Sequence, residues 1–294
     1  MKFVLALNSI GVRTEELTPL AVRAEAAGFD GVMLGDHVVM PRTIEASAPY
    51  TKDGRSPMDA ATPWPECLSA LAFLLGATRR LRLLSSVLVL PMRQPLVVAK
   101  AVQTLAIMSG DRVVLGVGVG WLAEEFEALG MPFADRGART DEAIAILRQA
   151  GATGQVEWHG RHFSIAPVSL LPRPSRPVPI YVGGDSPAAL RRAALLGDGY
   201  LSTLRRSETL RRRAGELRVL REEAGRGDAP FEFVGVPADA RTPDDFAALH
   251  AAGIHAAAVL PWKAPYDTSD PPMSEKLEAI DRFGEHVIEP LASP

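Results

Sequence analysis

The sequence predicts a single (β/α)8 TIM barrel over residues 1–294, and three observations lead to this fold class. Short apolar runs alternate with longer helical patterns about eight times along the chain. Several of these runs are continuously apolar, as parallel strands buried on both faces are. About eight strand–helix units in 294 residues favour one closed barrel over a doubly wound sheet.

The predicted strands are the short apolar runs, each placed before a helical pattern. In chain order they are FVLAL (3–7), GVMLG (31–35), LRLLSSVLVL (81–90), RVVLGVG (112–118), VPIYVGG (178–184), GYLST (199–203), FEFVGV (231–236) and HAAAVLP (255–261). The first helix is expected to begin at Thr14 and to end at Gly28, which are residue types common at helix starts and ends. All predicted helices together cover 14–28, 64–77, 96–108, 135–149, 186–197, 208–224, 242–253 and 273–288.

Two connections are too long to be simple turns: Asp36–Pro63 and Gly151–Pro179. The second contains VEWHGRHFSI, which predicts a β-hairpin turning at His159–Gly160. Active sites of such barrels lie at the C-terminal ends of the strands. We therefore expect both connections to be insertions at that face that cover or line the site.

Composition excludes several classes of partner. The net charge is −3, and no polybasic segment indicates nucleic acid or anionic lipid. No apolar run reaches the ~20 residues of a membrane helix, and the N-terminus does not resemble a signal peptide. The single cysteine, Cys67, allows no internal disulfide and is expected to be buried in a helix. These features predict a cytoplasmic protein.

The predicted strand ends offer little for metal or covalent chemistry. Successive His or carboxylate ligands are missing there, and His159 with His162 is a weak pair, so no metal site is predicted. Lys263 is the one lysine placed for a Schiff base, and an aldolase stays open as a weak alternative.

Two glycine motifs stand at strand ends. GGDSPAAL leads into a helix with Asp185 or Ser186 as its N-cap, and is either an anion site or an ordinary strand-to-helix turn. GVGVGW lacks the lysine of a phosphate-binding loop and the spacing of a dinucleotide fingerprint. Because glycine destabilises a strand, its glycines indicate either a tight bend or a close approach to a flat ring.

Taken together, these segments resemble the luciferase-like flavin and deazaflavin oxidoreductases. The matching segments cover most of 24–200 in the family's order: AEAAGFDGVMLGDHV, SSVLVLPMRQPLVVAKAVQTLAIMSGDRVVLGVGVGW, EEFEALGMPFADRGARTDEAI, WHGRHF and PVPIYVGGDSPAALRRAALLGDGY. The chain after about Ser202 carries little of this signal. The resemblance implies a barrel that binds FMN or the deazaflavin coenzyme F420 at its C-terminal face.

The resemblance also implies where the cofactor lies. Its phosphate is expected at Gly183 and Gly184, its ring beside 118–121, and behind the ring a strand bulge with a non-proline cis peptide at Ser86–Val87. The implied cofactor-binding residues are Asp36, Ser86, Val87, Gly118, Val119, Gly120, Trp121, Val182, Gly183, Gly184, Asp185 and Ser186. Asp36 and His37 are the implied catalytic pair, and Asn8, Trp64 and Trp262 are expected to contact substrate.

The sequence departs from the family pattern at two positions. Trp121 stands where sugar-phosphate dehydrogenases of the family have a proton-donating glutamate, which argues against that activity. Glu124 and Glu125 follow one turn later and could serve as the proton donor instead, although exposed helix carboxylates are the default expectation. Gln94 replaces a common histidine, which leaves His37 as the best proton-transfer group, with a purely structural histidine as the alternative.

The leading functional prediction is an F420-dependent oxidoreductase that transfers a hydride between the deazaflavin and an organic substrate. One alternative is a two-component monooxygenase that takes reduced FMN from a separate reductase and uses O2. A second alternative is a barrel that binds flavin without catalysis. The family resemblance also implies a homodimer.

Overall fold

The computed structural model describes residues 1–7, 12–48, 51, 54–56, 58–263 and 269–292. Its strands are β1 (Lys2–Ala6), β2 (Gly31–Leu34), β3 (Arg82–Ser85), β4 (Leu88–Val89), β5 (Val113–Gly118), β6 (Gln155–His159), β7 (Ser164–Ser169), β8 (Ile180–Gly183), β9 (Gly199–Arg205), β10 (Glu232–Pro237) and β11 (Ala256–Val259). Its α-helices are α1 (Leu17–Ala26), α2 (Cys67–Ala77), α3 (Pro95–Ser109), α4 (Ala123–Ala128), α5 (Arg136–Thr153), α6 (Pro187–Leu196), α7 (Ser207–Glu223), α8 (Pro243–Ala251), α9 (Met273–Phe283) and α10 (Glu289–Ala292).

The strands close into a parallel barrel in the order β1, β2, β3, β5, β8, β9, β10, β11. Closure is made by β3 pairing with β5 and by β11 pairing with β1. The predicted (β/α)8 barrel is therefore confirmed. The strand β4 continues β3 after a break at residues 86–87 and pairs with the end of β5.

Several helix boundaries differ from the prediction. The first helix begins as a 3-10 turn over Thr14–Glu16, with Arg13 and not Thr14 as N-cap, and α5 extends four residues beyond its predicted end at Gln149. The helix expected from Trp64 begins at Cys67, because Glu66 is its N-cap and accepts the N–H groups of Leu68 and Ser69 at 3.2 and 2.7 Å. The last predicted helix ends at Phe283 and continues as a π-helical turn over Gly284–Ile288. None of the described helices is long and apolar enough to cross a bilayer.

The connection 151–179 forms the expected hairpin, β6 with β7. It lies along α5, where Glu142 accepts the Trp158 indole N–H at 2.8 Å and the Phe163 N–H at 2.9 Å. The hairpin is thus bound to the outside of the barrel by α5.

Apolar side chains fill the barrel interior. They include Val4, Met33, Leu84, Val114, Tyr181, Leu201, Val234 and Ala258. At the N-terminal end of the barrel, the Tyr181 hydroxyl donates to Glu232 at 2.8 Å, and Arg82 binds both Glu232 oxygens at 3.0 and 2.9 Å. This network closes that end, so the opposite end, where the strands terminate, is the open mouth.

Cys67 is buried as predicted, with its Sγ directed at the Leu34 carbonyl at 3.7 Å. Burial raises the pKa of the Cys67 thiol well above its ordinary value. The thiol is therefore a packing group of the α2–β2 contact.

Candidate active site at the barrel mouth

A histidine–glutamate pair lies at the mouth of the barrel. His37, just after β2, is only 8% exposed, and its Nδ1 lies 2.9 Å from Oε2 of Glu125 on α4. Because a carboxylate oxygen accepts, Nδ1–H of His37 donates to Glu125, and Nε2 is the ring nitrogen left for proton exchange. The pair therefore has the arrangement in which a carboxylate orients an imidazole for proton transfer at Nε2.

Glu125 corrects the expectation of an exposed carboxylate. It is 0% exposed, and its Oε1 accepts the N–H groups of Val38 and Val39 at 2.6 and 3.3 Å. It therefore binds both the histidine and the backbone that follows it. Glu124 is also engaged, because it accepts the N–H groups of Glu45 and Ala46 at 2.6 and 2.9 Å.

Two tryptophans flank the histidine ring. Trp64 meets the His37 ring edge-on at 4.9 Å between centroids, and Trp121 does so at 6.4 Å. Trp121 thus lies on the same side of the mouth as the pair.

Asp36 has a different environment from its neighbour His37. Its side chain is fully buried, and Arg93 binds both of its oxygens at 2.7 and 2.8 Å. The Val89 N–H also donates to Asp36 at 2.8 Å. Burial raises the pKa of Asp36, and the charge of Arg93 opposes that rise. These contacts tie the end of β2 to the segment after the β3 break.

The break in the third barrel strand contains the Ser86–Val87 cis peptide that the resemblance implied. The Val87 side chain enters the space between β5 and β8. A Cβ on Gly118 would lie 2.4 Å from Val87 Cγ2, and one on Gly183 would lie 2.5 Å from Val87 Cγ1. Only glycine at these two positions leaves room for the valine.

The glycines of β5 make room for groups of this protein, and their predicted place beside a cofactor ring stays a prediction. A Cβ on Gly116 would lie 2.0 Å from the Ser85 carbonyl oxygen and 2.5 Å from Leu201 Cδ1. The space beside Gly116 and Gly118 is taken by this protein's own groups, and Val87 presents the surface that a ring would meet. The sequence could not show this, because Val87 and Leu201 are distant from β5 along the chain.

The GGDSPAAL motif forms the predicted strand-to-helix turn. Gly184 has a φ of +115°, Ser186 is the N-cap of α6, and its Oγ accepts the Ala189 N–H at 3.1 Å. Val182 and Gly183 end β8 directly before it. The N-terminus of an α-helix is suited to an anion because its free N–H groups and dipole are positive.

Two arginines that the sequence analysis did not single out lie at this turn. Arg205 pairs with the Asp185 carboxylate at 2.9 Å, and Arg213 donates to the Asp185 carbonyl at 3.1 Å. The hydroxyls of Tyr200 and Thr203 also donate to Asp185. Within the described residues, the buried Nε of Arg213 has no hydrogen-bond partner. A buried unpartnered guanidinium nitrogen beside a helix N-terminus fits a phosphate group.

A cavity of about 280 Å³ opens between the ends of β1 and β2, and it is connected to the histidine pair through Trp64, which meets the His37 ring edge-on. Its lining is mainly apolar and includes Leu7, Leu34 and the predicted substrate residue Trp64, with Arg13 and Asp270 at its edge. Trp262 packs against the core, and its buried indole N–H has no partner among the described residues. Asn8 lies outside the described residues.

The described ranges contain no group of three or more His, Cys, Asp or Glu side chains placed to hold a metal ion. His159 and His162 are drawn to different partners. His159 lies 3.2 Å from Glu157, and His162 lies 3.2 Å from Asp135.

Comparison with known proteins adds a family and relatives. The model of the luciferase-like monooxygenase family matches residues 4–279. An uncharacterized protein of Mycobacterium tuberculosis is 37% identical over 274 residues, which is 92% of this chain and 93% of that protein. An F420-dependent glucose-6-phosphate dehydrogenase of Beutenbergia cavernae is 34% identical over 274 residues, 89% of this chain and 75% of the relative.

Among solved structures, a monooxygenase from Streptomyces bottropensis superposes with a TM-score of 0.76 at 21% identity. The match covers 99% of this chain and all of that one. At this identity the likeness concerns the fold.

Proposed function

Because this chain belongs to the luciferase-like monooxygenase family, we propose that it is an oxidoreductase that uses coenzyme F420 to transfer a hydride to or from a small organic molecule. The observation that carries the proposal is the buried His37–Glu125 pair at the barrel mouth, whose neighbour Trp64 lines an apolar cavity. A barrel that only bound a flavin would have no need of an oriented imidazole there.

The choice of F420 rests on relatives and on the anion site. The Beutenbergia cavernae dehydrogenase, whose name states F420 dependence, is 34% identical over most of this chain. The N–H groups of the α6 N-terminus would hold the cofactor phosphate together with Nε of Arg213. Arg205 and the Nη1 of Arg213 are already paired, with Asp185 and Glu216 respectively. Val87, supported by Gly118 and Gly183, would bear against the ring.

Bound F420 would supply the carbon that accepts or donates the hydride. The protein supplies the proton path. At Nε2, His37 can take a proton from a substrate oxygen during oxidation or return one during reduction. Glu125 holds the ring in the required tautomer, and it stabilises the imidazolium that forms.

We assign Asp36 a positioning role next to this pair. Both of its oxygens are bound by Arg93, so its carboxylate anchors the β2 end instead of meeting the reacting atoms. Trp64 and Trp121 bracket the imidazole with apolar surface and limit the access of water to it.

A sugar phosphate does not suit the cavity as this chain builds it. Arg13, at the cavity edge, is bound to Glu16 at 2.8 Å. Trp121 replaces the carboxylate that sugar-phosphate dehydrogenases of the family have at that position. We therefore propose a compact, largely apolar organic substrate.

The experiment is a fluorescence titration of the protein with F420 and with FMN, each oxidised and reduced. We expect F420 to bind more tightly than FMN. Replacing Arg213 by methionine should weaken F420 binding about tenfold, the worth of one charged hydrogen bond. Arg212→Met is the matched control on the same helix, because the Arg212 side chain is 61% exposed and lies away from the turn.

Preference for reduced FMN would instead indicate a monooxygenase that depends on a reductase. Binding of F420 without turnover of any alcohol, aldehyde or ketone tested would favour the alternative of a barrel that binds the cofactor without catalysis. Binding of neither cofactor would contradict the proposal.

We further propose a homodimer formed through α2 and α3. These helices expose Phe73, Val97 and Met108 at 73, 68 and 81%. Lys100 is the one charged residue in either helix, and its Nζ donates to the Leu171 carbonyl, so this face presents little charge to a second copy. Phe73→Asp and Val97→Asp should give monomers in sedimentation, whereas Val219→Asp on α7 should not. A monomeric unmodified protein would contradict this arrangement.

A further inference from the structure

A fully buried lysine joins two segments that are far apart in sequence. Lys276, on α9, is 0% exposed, and its Nζ lies 2.6 Å from Oε2 of Glu16. The same Nζ contacts the carboxylate of Asp270, in the connection that precedes α9. Glu16 ends the short 3-10 turn Thr14–Glu16 that follows the first barrel strand.

The network extends to the cavity. Glu16 is 4% exposed, and it also binds Arg13 through Nη2 at 2.8 Å and through the backbone N–H at 3.1 Å. Arg13 and Asp270 both line the cavity beside Trp64. Two cations and two carboxylates therefore connect the cavity edge after β1 with the cavity edge before α9.

Stability alone does not explain this arrangement. Taking a lysine fully out of water is costly, and apolar replacements of buried ion pairs are often neutral or stabilising. An apolar side chain in α9 would pack against α1 equally well. It could not hold Asp270, whose side chain is 40% exposed and would otherwise turn to solvent.

We propose that Lys276 is a positioning residue that holds the two edges of the cavity together and so sets the width of its opening. Calling the cavity the substrate site rests on the proposed function, whereas the coupling of the two edges does not. Loss of Lys276 should release both edges at once, although each edge is built from a different part of the chain.

Hydrogen–deuterium exchange on the full-length protein tests this without substrate or cofactor. In Lys276→Met, exchange should rise at least about tenfold in both 12–17 and 269–276, as expected when a local contact that protects amides is removed. Methionine keeps the apolar stem, and Glu16 keeps Arg13 as its partner, so we expect the barrel to remain folded.

Single replacements of the two carboxylates give the sharper pattern. Glu16→Gln should raise exchange in 12–17 only, and Asp270→Asn in 269–276 only, because Lys276 keeps its other partner in each variant. The double replacement should reproduce the pattern of Lys276→Met. The two single replacements, Glu16→Gln and Asp270→Asn, test the coupling of the cavity edges even if Lys276→Met does not fold.

Glu232→Gln is the matched control, since it removes a partly buried carboxylate from the ion network at the closed end of the barrel. It should leave exchange in 12–17 and 269–276 unchanged. The proposal is overturned if Lys276→Met changes one edge only, or if the two single replacements each release both edges. Neither result would bear on F420 binding, which the titration measures separately.

Discussion

Across the mouth of the barrel, the β5–β8 side and the β1–β2 side differ in what fills the space between their elements. On the β5–β8 side, Val87 occupies volume that Gly118 and Gly183 leave open, and Leu201 does the same at Gly116. On the β1–β2 side, there is a cavity whose edge is held by Arg13, Glu16, Asp270 and Lys276. One side is held by van der Waals contact and the other by charge.

The difference indicates which side can adapt. Close-packed methyl groups allow no change of volume, so the β5–β8 side is suited to a ring of constant shape. The ion pairs fix the edges of the β1–β2 cavity without filling its volume, so this side is suited to a molecule that enters and leaves. His37 lies between them, bound to Glu125 and beside Trp64.

The largest effect is expected where packing is tightest. Gly116→Ala should prevent folding or destabilise the protein by more than about 3 kcal/mol, because its Cβ would meet the Ser85 carbonyl at 2.0 Å. Gly215→Ala, inside α7 with no atom within 4 Å of the added Cβ, should stabilise by about 0.5–1 kcal/mol. Chemical denaturation measures both. A Gly116→Ala protein of unchanged stability would show that the β5–β8 side can rearrange to accommodate an added methyl group.

At the boundary between the two sides, His37→Ala should lower turnover by about 10²–10⁴-fold, the usual range for a general acid–base group. Glu125→Gln should lower it by about 10–100-fold, because the amide can still accept from the ring but no longer carries charge. Steady-state kinetics with F420 measure both, with Glu127→Gln on the same helix as control. Unchanged turnover in His37→Ala would leave the histidine a structural role.

A double-mutant cycle sharpens the claim that Val87 is the reason for Gly118. Gly118→Ala alone should cost about 1–3 kcal/mol, as overpacking does. With Val87→Ala present, the added methyl group would face Val87 Cβ at 3.4 Å, an ordinary contact, and most of that cost should disappear. Equal costs in both backgrounds would mean that Val87 does not restrict the position.

The smallest expected effect is a pH dependence of the free energy of unfolding, and it arises from the ion network at the closed end of the barrel. Burial would raise the pKa of Glu232, but Arg82 and Tyr181 together lower it below its ordinary value of 4.5. A lowered folded-state pKa gives stability that is present above pH 4.5 and is lost as the pH falls below it. Glu232→Gln should therefore cost about 1–3 kcal/mol at pH 7 and flatten the acid limb of urea denaturation. An unchanged acid limb would contradict this assignment.

The fold was predictable because its signals are local. The continuously apolar strands, the helix patterns and the turn before α6 each depend on neighbouring residues, and all of them appear in the structure. The helix expected from Trp64 started late because a glutamate side chain served as its cap, which is a less common choice than serine or aspartate.

The site was only partly predictable because its decisive contacts are long-range. Glu125 looks like a surface carboxylate in its helix, and its partner His37 lies 88 residues earlier. Lys276 and Glu16 are 260 residues apart. The reason for Gly118 is Val87, which lies in the break between β3 and β4. Hydrophobic periodicity and motif spacing are local patterns, so they cannot reveal contacts between residues this far apart in the sequence.

The closed N-terminal end of the barrel has a consequence for substrate entry and product release. Because Arg82, Tyr181 and Glu232 close that end and apolar side chains fill the lumen, the described residues leave the C-terminal end of the barrel as the side from which molecules reach the histidine. Substrate must then enter, and product must leave, through the same open end of the barrel. Product should therefore be a competitive inhibitor with respect to substrate. If product dissociates slowly, its release would be the rate-limiting step of turnover.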